Sequence, residues 1–194
     1  RTDDPQPVDF LHWEFYIASM QHYTRNESDV TSPHIEINYG AFSNVQIHLV
    51  APLGYVHSNE GTHYGYSDTE IGVKYRFIEE TETVPQIGSF PLIEVPTGNA
   101  DKLLGTGNFQ AYLPLWIQKS WGKFTTYGGG GVWFNPGTDR KNWIFTGWEF
   151  QYDFSESITL GSELTYQTAD TQNAESSIGF NLGGYLNLSE RHHI

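Results

Sequence analysis

The chain has 194 residues with no Cys, a single Met, 20 Gly, 15% aromatic residues and a formal net charge of −13. That charge argues against nucleic acid as a partner, because phosphate binding needs clustered Lys and Arg. No apolar run reaches the ~20 residues of a membrane-crossing helix, and this leaves a β-barrel open, since barrel strands give a much weaker hydropathy signal.

Residues 1–7, with Pro5 and Pro7, read as an irregular lead-in that cannot begin a strand. A chain opening on Arg1 without Met is expected to have lost an export signal, and the absence of Cys suits passage through an oxidising compartment. The first strand is expected from Leu11 to Tyr23, with Trp13, Phe15 and Ile17 on one face and His12, Glu14, Tyr16 and Ala18 on the other. Thr24 to Pro33 reads as a polar loop. The second strand sets Ile35, Ile37 and Tyr39 against His34, Glu36 and Asn38, and turns at Ser43-Asn44 into a third, Val45 to Tyr55. Pro52 removes a ladder donor there and predicts a bulge.

His57 to Tyr66 reads as another polar loop. The fourth strand puts Ile71, Val73, Tyr75 and Phe77 against Glu70, Gly72, Lys74 and Arg76, and an acidic turn covers Glu79 to Pro85. The fifth, Gln86 to Val95, is the least regular because of Pro91. A long loop to Gly107 precedes a sixth strand, with Ala111, Leu113, Leu115 and Ile117 facing away from Gln110, Tyr112, Pro114 and Trp116. A seventh holds Gly128 to Gly131. Asn142 to Leu188 then repeats one rule three times: Ile144, Trp148, Phe150 and Tyr152 alternate with Gly147, Glu149 and Gln151; Leu160 and Leu164 with Gly161 and Glu163; Ile178, Phe180 and Leu182 with Gly179, Asn181 and Gly183.

A soluble β-sandwich also has one apolar face, turned inward. Three features favour a membrane barrel instead. The strands are long, the connections alternate between short and long, and the apolar parity carries aromatics at the strand ends. Those ends are Phe77, Trp121, Phe124 and Phe154 on the side of the short turns, and Tyr55, Phe109, Phe134 and Tyr166 on the other, two girdles of rings at the lipid interfaces. The expected fold is all-β, an antiparallel up-and-down transmembrane β-barrel forming a single domain over residues 1–194. The amino terminus and short turns are expected to be periplasmic and the location the bacterial outer membrane.

His12-Trp13-Glu14-Phe15-Tyr16, Gly72-Val73-Lys74-Tyr75-Arg76-Phe77, Phe90 to Gly98, Leu113 to Lys119, Thr126 to Gly131 and Gly179 to Gly184 together resemble the transporter family labelled as the MetA pathway of phenol degradation. The likeness covers nearly the whole chain. It implies an outer-membrane barrel of about twelve strands, of which ten to eleven are readable here, with one or two more strands and a terminal aromatic residue expected after Ile194.

If the other parity faces a lumen, Glu14, Glu36, His48, Glu70, Lys74, Arg76, Tyr112, Trp116, Glu149 and Glu163 line it. There the charges pair or meet water, Lys74 and Arg76 being expected among Glu36, Glu70 and other carboxylates. Such a lining either selects solutes or merely fills a narrow barrel with salt bridges. The inward glycines, Gly129, Gly131, Gly147, Gly161, Gly179 and Gly183, leave one wall with little bulk, allowing curvature, room for Tyr112 and Trp116, or a solute path. His57-Ser58 invites comparison with outer-membrane phospholipases, but adjacent strand residues point oppositely. His192-His193 diverge in the same way, and Asn26-Glu27-Ser28 matches a glycosylation sequon of little weight. The expected function is a channel for small solutes, hydrophobic or aromatic compounds among them, by passive diffusion. The alternatives are a non-transporting structural or surface-interaction barrel and, behind it, a lipid hydrolase. Outer-membrane lipid and a small solute are the expected partners; no cofactor or metal is expected.

Overall fold

The computed structural model describes residues 2–23, 28–58, 61–189 and 192–193. Period-two alternation is realised as strands β1 (Trp13–Tyr23), β2 (Ser28–Phe42), β3 (Val45–Ser58), β4 (Gly61–Tyr66), β5 (Thr69–Ile78), β6 (Gln86–Ser89), β7 (Leu92–Val95), β8 (Gln110–Trp121), β9 (Phe124–Phe134), β10 (Trp143–Ser155), β11 (Ile158–Gln167), β12 (Ser177–Ser189) and β13 (His192–His193). All pair antiparallel in one sheet, in the order β1-β2-β3-β5-β6-β8-β9-β10-β11-β12-β13. β4 lies against β3, and β7 lies between β5 and β8. Thus β4 with β5, and β6 with β7, act as single interrupted strands, and the sheet is a meander of sequence neighbours.

Two-residue turns join β2 to β3, β8 to β9 and β10 to β11. Gly122, at φ 58°, takes the left-handed position in the second of these, which favours glycine. The opposite end carries the longer connections 96–109, 135–142 and 168–176. We call the two ends the turn end and the loop end.

The faces are inverted relative to a soluble protein. Ile144, Trp148, Phe150, Leu160, Leu164, Phe180 and Leu182 are 41–76% exposed, while Asn38, Gln46, His48, Lys74, Gln86, Gln110 and Glu163 are buried. A sandwich core would reverse this, whereas a wall immersed in lipid requires it. Polar atoms on the outer face are satisfied locally: the Trp148 indole donates to Thr126 Oγ1 at 2.7 Å, and the Thr126 and Thr146 hydroxyls donate to the Glu149 and Gly129 carbonyls. These bonds explain why threonines are tolerated among the apolar parity.

Two expected loops are strand instead. Ser28–Pro33 belongs to β2, and Gly61–Tyr66 forms β4; residues 24–27 and 59–60 lie outside the described residues. Polarity misled here. The hairpin of β3 and β4 extends the sheet at the loop end, where both faces tolerate polar side chains, so Thr62, His63 and Tyr64 pair with His57, Val56 and Tyr55. The bulge expected from Pro52 falls on the partner strand: Thr31 pairs with Gly54 and His34 with Pro52, so β2 carries one more residue than β3. The irregular fifth strand is cut at Phe90-Pro91 between β6 and β7, and Phe90 keeps the inward parity of Gln86 and Gly88 and is buried. On its far side β12 pairs with β13, through Asn187 and Ser189. The further strands expected after Ile194 lie outside the described residues.

Leu164 sits mid-strand beside Trp148 on the outer face. Leu164→Arg is expected to lower the unfolding free energy in phospholipid vesicles by about 2–4 kcal/mol, while Leu164→Phe leaves it nearly unchanged, as read by denaturant titration.

Candidate functional site

The inner parity surrounds a space that the amino-terminal segment crosses. The Thr2 amide donates to Glu163 Oε1 at 2.6 Å, from β11. Lys74 Nζ, from β5, donates to Asp3 Oδ1 at 2.8 Å and lies 3.6 Å from Asp4 Oδ1. Arg76 Nη1 donates to Gln6 Oε1 at 2.8 Å, and the Val8 amide donates to Gln46 Oε1 at 2.9 Å, from β3. The segment therefore runs from one wall to the opposite one, bound by side chains rather than by a strand ladder. Pro5 and Val8 are buried.

Three glycines make room for it. A Cβ on Gly147 would sit 1.9 Å from Thr2 Oγ1, one on Gly88 would sit 2.9 Å from Pro5 Cβ, and one on Gly40 would sit 2.0 Å from the Asp9 carbonyl. These are spatial demands: the walls are bare where the segment touches them. Gly129 serves a different neighbour. Its φ of 150° and its closeness to Leu115 O and the Trp116 ring reserve that place for the indole of Trp116.

Lys74 is the charge centre. Its buried ammonium meets Asp3 and Asp4 and lies 5.0 Å over the Phe90 ring. Burial pushes the Asp4 carboxyl above the ordinary carboxylate range against the pull of Lys74, so Asp3 is the firmer partner. Lys74 and Arg76 both point inward, as expected, but their direct partners are not Glu36 and Glu70: they are Asp3 and Asp4 for one, and Gln6, Gln86, Ser43 and Glu79 for the other. Glu70 instead accepts from His48 Nε2 at 2.9 Å. The other ring nitrogen of His48 bonds Asn38 Oδ1 at 2.7 Å, to which Gln46 also donates. Asn38 in turn donates to Glu36. A continuous hydrogen-bonded series thus joins the Val8 amide to Glu70.

Tyr112 and Trp116 pack with Phe90 and Phe145 in a buried cluster rather than facing a water path. Tyr112 stacks on Trp133 at 4.9 Å, and Trp133 on Trp143 at 5.4 Å, a series running towards the loop end. The Tyr112 hydroxyl and Trp116 Nε1 are buried without a hydrogen-bond partner among the described residues. Glu149, half-buried on the glycine-rich wall, borders a cavity of about 270 Å³ with Thr2, Glu163 and Tyr185, while Glu14 is exposed and accepts from Tyr16. The eight girdle rings lie at strand ends, seven of them exposed and Phe124 half-buried. The His57 ring bonds Thr62 Oγ1, and the side chains of Ser58, His192 and His193 lie outside the described residues, as do Asn26 and Glu27.

Comparison with solved structures finds an outer membrane channel from Pseudomonas putida F1, with a TM-score of 0.68, 15% identity, and 92% of this chain covering 81% of that one. The fold is that of an outer-membrane β-barrel channel. It is the fold class that the resemblance of the strand motifs implies. No protein-family model matches the chain. No curated protein matches it either.

Removing one partner of a buried ion pair costs about 3–5 kcal/mol. In the Cys-free chain, a Thr2→Cys thiol is expected to react slowly with a membrane-impermeant maleimide in the otherwise unchanged barrel. Adding Lys74→Met is expected to speed labelling at least tenfold by freeing Asp3 and Asp4.

Proposed function

We propose that the protein is an outer-membrane channel for small solutes, hydrophobic or aromatic ones among them, in which the segment Thr2 to Phe10 limits the width of a passive path. One observation carries this reading: the interior is polar and crossed by a segment that no strand pairing holds, tied by a few side-chain bonds and the Lys74 ion pair. A barrel built only for rigidity gains little from a buried ion pair, because the cost of taking both charges from water offsets their attraction. Trp133 and Trp143, half-buried and stacked towards the loop end, support an aromatic solute, since they offer ring faces for offset stacking. The short turns and the amino terminus face the periplasm in this reading, with the longer loops outside.

The filled interior gives the second reading, a non-transporting barrel, its own support, because Pro5 and Trp116 are fully buried. Planar-bilayer recording separates the two. The channel reading expects small single-channel steps from the parent and severalfold larger steps after deletion of residues 2–8; a structural barrel conducts in neither case. Inward carboxylates outnumber inward Lys and Arg, so the open path is expected to prefer cations, and Glu149→Gln with Glu163→Gln to shift the reversal potential towards zero. Anion preference in the parent would contradict this.

A further inference from the structure

A second cavity, of about 440 Å³, opens at the loop end, within the roughly 300–1,000 Å³ of small-molecule sites. It has two chemically distinct halves. Val50, Val56 and Leu104, all buried, form an apolar half together with Met20 and Pro52. Asp29, Asp68, Glu70 and Glu94 form an acidic half, and none of the described lining residues is Lys or Arg.

The acids differ in what they already hold. Asp68 is committed to the 96–109 loop: its carboxylate accepts from the Gly98 and Thr106 amides and from the Thr106 hydroxyl. Those bonds fix the loop, and with it Leu104, over the cavity. Glu70 is fixed through one oxygen by His48, which leaves the other carboxylate oxygen for a ligand. Glu94 has no hydrogen-bond or ion-pair partner among the described residues and stands directly opposite Glu70 across β5 and β7. Like charges directly opposite on a sheet are destabilising. The guanidinium of Arg140, on the neighbouring loop, is engaged with Asn135 Oδ1 at 3.0 Å. His34, also in the lining, has its Nδ1 buried without a partner among the described residues.

We propose that this outer cavity is a binding site for a small organic cation: an ammonium group between Glu70 and Glu94, with its hydrocarbon body against Val50, Val56 and Leu104. A metal ion is the poorer fit, because no group of three His, Asp or Glu among the described residues is disposed to hold one and half of the wall is apolar. A cation there relieves the Glu70–Glu94 repulsion, and the apolar half rewards an organic one over a hydrated inorganic ion. The inference deepens the channel reading by naming a solute class, yet binding can be measured without transport.

The test is calorimetric titration of the full chain in detergent with three probes of one skeleton: 2-phenylethylammonium, 2-phenylethanol and phenylacetate. The cation is expected to bind at least tenfold more tightly than the alcohol, and phenylacetate not at all. Glu94→Gln and Glu70→Gln are each expected to weaken the cation at least tenfold and leave the alcohol unchanged. Glu82→Gln, exposed in the connection between β5 and β6 at the turn end, is expected to leave binding of all three probes unchanged; circular dichroism checks that each variant is folded. Equal binding of the three probes, or undiminished cation binding by folded Glu94→Gln, overturns the inference. A barrel that binds the cation as expected but never conducts, even without residues 2–8, contradicts the channel reading alone; one that conducts but binds the probes equally contradicts this inference alone.

Discussion

Within a bilayer no water reaches the backbone, so every amide and carbonyl of a spanning segment must find its partner in the protein. An antiparallel meander meets that demand through inter-strand ladders for each strand with neighbours on both sides, β2 to β12 in the sheet order, and the rest of the architecture follows. Alternate side chains must face hydrocarbon, as Leu164 and Phe150 do, and the others must face the interior, as Lys74 and Gln46 do. Polar atoms that stray to the outer face are bonded back to the sheet, as with Trp148 on Thr126. Where ladder regularity breaks, at Phe90-Pro91, the inward ring of Phe90 joins the aromatic packing.

The interior poses the opposite problem. Lys74 is buried and no carboxylate stands beside it in the strand register, where its partner on β3 is Gln46. The amino-terminal segment supplies Asp3 and Asp4, and the walls supply the space through Gly40, Gly88 and Gly147. The ion pair and the bare walls are complementary, since a side chain at Gly40 or Gly88 would push the segment out and strand a buried ammonium. The hydrogen-bonded series from the Val8 amide through Gln46, Asn38 and His48 to Glu70 connects the same segment physically to the cavity at the loop end.

Most of the wall was legible in the sequence because period-two alternation is a one-dimensional signal: Ile144 to Phe154 announces its lipid face without reference to any other strand. What depended on three dimensions was not. Ser28–Pro33 and Gly61–Tyr66 are polar strands because they rise above the apolar band, and polarity alone cannot tell such a strand from a loop. The partners of Lys74 lie about seventy positions away in a segment whose prolines forbid regular structure, so strand-register logic pointed to Glu36 and Glu70 instead. A signal was nonetheless present. Inward glycines at Gly40, Gly88 and Gly147 sit on three separate walls, more than curvature of one wall needs, and the acidic lead-in offered the charge that Lys74 lacked.

The central claim is that the amino-terminal segment lies inside the barrel and limits the path. The most direct measurement uses Thr2→Cys with Gly147→Cys, because a Cβ at Gly147 would lie 3.1 Å from the Thr2 Cβ, near the ~3.5–4.5 Å a disulfide spans. Single-channel conductance of this variant in a lipid bilayer is then recorded before and after a reducing agent is added. The account predicts an intramolecular disulfide, conductance pinned at its low level while it is oxidised, and larger steps on reduction. A variant that forms no disulfide, or whose conductance is the same in both states, would contradict it.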